Sequence, residues 1–172
     1  MKDKMVDWDD GPWKTEPDKA QWIDDKTGLD CLIVRNFSGA LCGYVGLPTS
    51  HKLHGKGYDE VSSINNDICV HGELTFAGKC TPHGDEESKG ICHTGDIANK
   101  DVWWLGFDCH HCGDTAPRDT KFAKEFGGPF KEIIKYGKYR DFEYVKAETE
   151  LLASQLIDTT TKYDVDNGRP CG

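Results

Sequence analysis

Two periodicities divide the chain. The stretches DCLIVRNF (30–37) and ALCGYVGLP (40–48) are apolar runs separated by Ser38 and Gly39, which predicts a hairpin. DICVHGELTFAG (67–78) and DVWWLGFDC (101–109) predict two further strands, with Trp103 and Trp104 on opposite faces because side chains alternate along a strand. A helical period governs YRDFEYVKAETELLASQLID (139–158). There Tyr144, Ala147, Leu151, Leu152 and Leu156 form one apolar face, and Lys146, Glu148 and Glu150 lie off it. EPDKAQWIDDKTG (16–28) reads as a short helix opened by Pro17 and closed by Gly28. One or two helical turns are expected between 115 and 138. Residues 49–66 read as loop, and 79–96 as a long loop rich in Gly, Cys and His. A loop of that length is unusual unless it is functional or held by a metal.

These elements predict an α+β fold: an antiparallel sheet of four to five strands, a long C-terminal helix packed on one face, and long Cys/His-rich loops. Residues 1–29 are expected to be an N-terminal extension with a short helix, 30–158 a single α+β domain, and 159–172 a polar tail.

Composition narrows the classes. At 172 residues, with 37% apolar and 30% charged, the chain suits one domain with generous loops. No stretch approaches the ~20 apolar residues of a membrane span, and MKDKMVDWDDGPW lacks the apolar centre of a secretory signal. The expectation is a cytoplasmic protein without a membrane partner, in the host cell if the gene is viral. The net charge of −9 argues against binding long nucleic acid. Two basic islands, SHKLHGKGY (50–58) and KEIIKYGKYR (131–140), could still hold a small anion or a nucleotide phosphate. Eight cysteines are many for the cytoplasm, where metal sites and buried thiols outnumber disulfides. Cys31 and Cys42 sit in apolar runs and read as core thiols, and Cys171 in the tail reads as free. Cys69, Cys80, Cys92, Cys109 and Cys112 are left for chemistry.

CGYVGLPTSHKLHGKGYDEV, VHGELTFAG, ICH, VWWLGFDCHHCGD and YRDFEYVKAETELLASQL occur in this order. Across roughly residues 40–157 the chain resembles an uncharacterised family of small proteins encoded by bacteriophages and by actinobacterial and related genomes. Members carry blocks similar to CGYVGVP, HGGLTY and WWFGFDCAHAGD, then a helix beginning Tyr-Arg. The matching positions are Cys42, Gly43, Tyr44, Gly46 and Pro48, then His71, Gly72, Leu74 and Thr75. In the third block Trp103, Trp104, Gly106, Phe107, Asp108, Cys109, His111, Gly113 and Asp114 match. Glu73 stands where the pattern has Gly, and Cys112 where it has a small residue. The resemblance supplies motifs rather than an activity.

The densest chemistry lies in WWLGFDCHHCGD (103–114), and it admits three readings. The first is a structural zinc on Cys80, Cys92, His93 and Cys109. Cys109-x-x-Cys112 and Cys80-x-x-His83 have ligand-pair spacing, and His111 suits a fourth ligand better than Cys112. The second is a nucleobase deaminase, since His71-Gly-Glu73 followed by Cys109-x-x-Cys112 echoes H-x-E…C-x-x-C. No proline precedes Cys109, and Glu73 lies in a strand-like run, which counts against it. The third is an acid–base or metal site of His71, Asp108, His111 and Asp114. Tyr44, Trp103 and Trp104 would form a stacking wall for a base, and Lys52 and Lys56 would meet phosphate. His51 and Thr75 complete the ligand-binding set. The plain structural alternative is that Trp103 packs in the core while Asp108 and Asp114 cap turns.

Small accessory proteins of phages often counter host immunity by acting on nucleotide signals. That gene context, taken with the His/Asp cluster, makes the leading expectation an accessory, anti-defence protein that hydrolyses a small phosphorylated nucleotide at the His/Asp site. Two alternatives are sequestration of such a signal without turnover, as a homo-oligomer, and a zinc-stabilised module that binds a host protein.

Overall fold

The computed structural model describes residues 8–64, 68–81, 90–93 and 101–157. Five antiparallel strands form one sheet: β1 (Lys19–Ile23), β2 (Asp30–Arg35), β3 (Leu41–Pro48), β4 (Phe76–Gly78) and β5 (Val102–Asp108), in the order β1-β2-β3-β5-β4. The helices are α1 (Tyr58–Ile64), α2 (Pro117–Phe126), α3 (Pro129–Tyr136) and α4 (Phe142–Ile157), and α4 packs across β2 and β3. The expected α+β class, antiparallel sheet and C-terminal helix are all present.

The predicted β2–β3 hairpin forms because Asn36 organises its turn. The Asn36 side-chain oxygen accepts hydrogen bonds from the backbone N–H of Ser38 (3.0 Å) and of Ala40 (3.1 Å). Alternation then sorts the strands into two layers. Cys31, Ile33, Leu41, Val45, Leu47, Leu105 and Phe107 meet Val145, Leu152, Ala153 and Leu156 of α4. Leu32, Val34, Cys42, Tyr44, Val102 and Trp104 form a smaller apolar layer on the opposite face. Helix and sheet approach closely at Gly43, where a Cβ would stand 2.3 Å from the Thr149 hydroxyl.

Four expectations are corrected. The segment expected as a helix from Pro17 to Gly28 instead contributes β1, with Lys19 opposite Val34 and Ile23 opposite Asp30. The open edge of β2 satisfies its backbone groups better than a short isolated helix would. A turn held by Asp24 follows, its carboxylate accepting from the Thr27 N–H at 2.9 Å. The strand expected over 67–78 shrinks to Phe76–Gly78, because Gly72 (φ +63°) and Glu73 (φ +67°) are left-handed. Upstream, α4 side chains take the place of a neighbouring strand. The Gln155 amide accepts from Cys69 N–H at 2.6 Å and donates to the Cys69 carbonyl at 2.9 Å. The Glu148 carboxylate accepts from His71 N–H at 3.1 Å. The stretch read as loop over 49–66 contains α1. Finally, the buried face of α4 is Val145, Thr149, Leu152, Ala153 and Leu156, whereas Leu151 is exposed.

The segment before β1 is tied to the sheet through Arg35. Its guanidinium reaches Asp18 Oδ1 (2.7 Å), Glu16 Oε2 (3.0 Å), the Gly39 carbonyl (2.7 Å) and the Tyr139 hydroxyl (2.8 Å). Glu16 also accepts from Phe142 N–H at 3.1 Å, at the start of α4. Among the described residues no helix is long and apolar enough to cross a membrane.

Candidate functional site

Three of the four predicted acid–base residues come from the end of β5 and the turn after it. Asp108 accepts from the His110 N–H at 3.0 Å as the strand ends. Gly113, at φ +90°, allows the chain to reverse. Asp114 Oδ2 then accepts from the His111 N–H at 3.0 Å, which closes the turn on its own carboxylate. The fourth residue, His71, arrives from the left-handed turn before β4 and places Nε2 2.7 Å from Asp114 Oδ2. His71 and Asp114 are both buried.

Residues from α4 and its approach complete the cluster. Arg140 donates from Nε to Asp114 Oδ1 at 2.9 Å, and the Tyr144 hydroxyl lies 3.1 Å from His71 Nδ1. Burial by itself would raise the Asp114 carboxyl. Hydrogen bonds from Arg140, the His111 backbone and His71 outweigh it and hold the group below the usual carboxylate range. An ionised carboxylate only accepts, so His71 Nε2 carries the proton toward Asp114. The same contact keeps Arg140 firmly cationic, against the effect of burial. Burial, then the nearby Glu148 carboxylate, raises the Tyr144 phenol.

His111 is the member open to a ligand. Its ring centroid lies 5.7 Å from that of His71. The Cδ2–Nε2 edge rests on Gly72, where a Cβ would stand 2.1 Å from Cδ2. Nε2 faces Asp108 Oδ1 at 3.6 Å, and the side chain is 31% exposed. Arg140 spends only Nε on Asp114 among the described residues, so both terminal nitrogens remain for an anion. The site therefore pairs a partly exposed imidazole and a guanidinium fork with a buried, oriented His–Asp couple.

The expected ligand wall is not at this site. Trp104 is wholly buried on the other face of the sheet, edge-on to His93 at 4.8 Å. Tyr44 is buried there too, packed edge-on against Phe76. Trp103 is part of the helix-side core and donates to the Lys56 carbonyl at 2.9 Å. Thr75 is exposed, and its N–H donates to the Gly106 carbonyl at 2.9 Å. The candidate phosphate residues lie at the far end of the molecule. His51 Nε2 is 3.0 Å from the Leu156 carbonyl, at the last turn of α4, whereas Tyr144 sits near its first. Twelve helical residues separate those points by about 18 Å. His51 thus closes the α4 terminus, Lys56 pairs with Glu60, and exposed Lys52 follows in the same loop.

The expected zinc set is also divided. Cys80 and Cys92 are bonded to each other as a disulfide, beside a short pairing of Thr81 with Ile91. Ile91 packs on the Trp104 face, whereas Cys109 is buried in the helix-side core, where burial raises its thiol strongly. Bonded sulfurs are not thiolate ligands. His93 is buried with Nε2 3.5 Å from Asp30 Oδ1. No group of three or more metal-ligating side chains occurs among the described residues. His83 and Cys171 lie outside the described residues, and Cys69 is itself disulfide-bonded. The deaminase arrangement fails on the same geometry: Glu73 and Cys112 are exposed, Cys109 is buried, and His71 is committed to Asp114.

Sequence reasoning missed Arg140, Tyr144 and Glu148 as site residues. Arg140 had a signal in the Tyr-Arg pair that opens the helical stretch 139–158. Tyr144 was absorbed into an apolar helix face, and Glu148 one turn on looked like a solvated carboxylate. No protein-family model matches this chain, and no curated protein and no solved structure matches it either.

Proposed function

We propose that the chain is a small hydrolase for a phosphorylated nucleotide, with His111 as the acid–base residue in contact with substrate. The observation that carries this reading is the buried His71–Asp114 couple set beside the partly exposed His111 ring. Arg140 would take a phosphate oxygen through its terminal nitrogens, as planar guanidinium groups do well. His111 would move a proton between water or the leaving oxygen and solvent, its ring held by packing on Gly72 with the Asp108 carboxylate 3.6 Å from Nε2. His71 would hold Asp114, and through it Arg140 and the His111 backbone, in place. The nucleotide as substrate, and an accessory anti-defence role, rest on the phage gene context that the resemblance suggests.

Sequestration without turnover is the second reading. It is favoured by the fact that both ring nitrogens of His71 already have partners, which leaves it a positioning residue. The test is incubation of the purified chain with mono-, di- and cyclic nucleotides, followed by mass spectrometry of bound and free fractions. Product formation lost in His111→Ala and kept in His110→Ala supports the hydrolase. Tight retention of intact nucleotide supports sequestration. Neither product nor retention with any nucleotide removes both readings.

A further inference from the structure

The hairpin of α2 and α3 carries a surface that the site does not use. α3 buries none of its residues, although it contains Phe130, Ile133, Ile134 and Tyr136. Phe126 is 69% exposed at the end of α2, and Tyr136 is 71% exposed at the end of α3. Phe122 stacks edge-on with Phe126 at 5.6 Å and with Phe130 at 5.5 Å. Arg118 lies over Phe122 at 4.9 Å and over the exposed Phe37 at 5.4 Å, which extends the aromatic row onto the β2–β3 turn. Contiguous exposed apolar side chains of this kind mark a contact surface.

Charge says what the surface meets. From 117 to 138 there are six Lys or Arg against three Asp or Glu, in a chain whose net charge is −9. Lys124 pairs with Asp9 at 3.1 Å, whereas Lys131 and Lys138 are exposed and have no carboxylate at ion-pair distance among the described residues. Two copies meeting hairpin to hairpin would set positive charge against positive charge. The two helices meet at Phe126-Gly127-Gly128-Pro129-Phe130, which sets an aromatic side chain on each side of the turn. Aromatic and aliphatic side chains on one face, with lysines on the other, are the pattern of helices that lie in a lipid headgroup layer.

We infer that the α2–α3 hairpin docks the protein peripherally on an anionic lipid surface, with Phe126, Phe130 and Ile134 in the headgroup boundary and Lys131 and Lys135 near lipid phosphates. Such docking needs no membrane-spanning segment. It is independent of the hydrolase reading, because His111 and Asp114 are not part of the surface.

The test is sedimentation of the full chain with vesicles of phosphatidylcholine alone and of phosphatidylcholine mixed with phosphatidylglycerol. The expected result is binding only to the phosphatidylglycerol vesicles, reversed by added salt. Lys131→Glu/Lys135→Glu and Phe126→Ser/Ile134→Ser should each weaken binding by at least about tenfold. Their melting temperatures should match the parent chain, since these side chains are exposed. No sedimentation with phosphatidylglycerol vesicles, or equal sedimentation with both kinds, overturns the inference. So does concentration-dependent self-association abolished by Phe126→Ser/Ile134→Ser, which would make the hairpin an interface between copies.

Discussion

His71 Nε2 stands 2.7 Å from Asp114 Oδ2, although 42 residues lie between them in the chain. The couple is buried, and Arg140 closes it from the other carboxylate oxygen. Asp114 thus joins the turn after β5, the segment before β4 and the approach to α4 through one side chain.

Asp114→Asn should cost about 2–3 kcal/mol at neutral pH, because it removes charge-assisted hydrogen bonds and leaves Arg140 without its partner. The folded-state carboxyl lies below its usual value, so its stabilisation is complete above about pH 4 and disappears as pH falls through the lower folded value. Chemical denaturation of both chains across that range checks this. The difference between them should shrink in acid, and a constant difference would mean that ionisation is not its source.

Glu73→Gly should raise stability by up to about 1 kcal/mol. Glu73 is exposed and held at φ +67°, a conformation that costs an L-residue more than glycine. Gly72→Ala should do the reverse and also displace the His111 ring, since a Cβ there falls within 2.2 Å of its Nε2. Melting curves of both variants, with the His111 ring signals followed by NMR, test the pair.

Leu152→Asp should unfold the chain or cost more than about 4 kcal/mol, because Leu152 is fully buried under the sheet. Leu151→Asp, one residue away on the exposed side of α4, should cost less than about 1 kcal/mol. Equal losses would place the buried face of α4 elsewhere.

Cys80→Ser should remove about 3 kcal/mol, the loop-closure value for bridged residues 12 apart, and a reductant, which also opens the bond at Cys69, should remove more. A chelator should leave the melting temperature unchanged. A fall in melting temperature with chelator but not with reductant would restore the zinc reading.

Much of the framework was legible because it rests on local period. The β2–β3 hairpin needed only two apolar runs and a turn at Asn36 to Ala40, and β5 and α4 announced themselves by alternation and by helical spacing. His71, Asp108, His111 and Asp114 were also visible as residues of the right chemistry in two short blocks. What local pattern cannot hold is which distant groups satisfy one another. β1 looked helical until the open edge of β2 was there to pair with it. The segment around Cys69 and His71 looked like a strand, yet its backbone bonds to Gln155 and Glu148 of a helix more than 70 residues away. Arg140 and Tyr144 became site residues only because α4 lies across the sheet with its first turn over Asp114. The same placement carried His51 and Lys52 to the other end of that helix and enclosed Trp104 on the opposite face of the sheet. Residue type and spacing set which elements form. The side of the sheet each side chain reaches, and the partner it finds there, follow from the requirement that every buried polar group be satisfied in one packed structure.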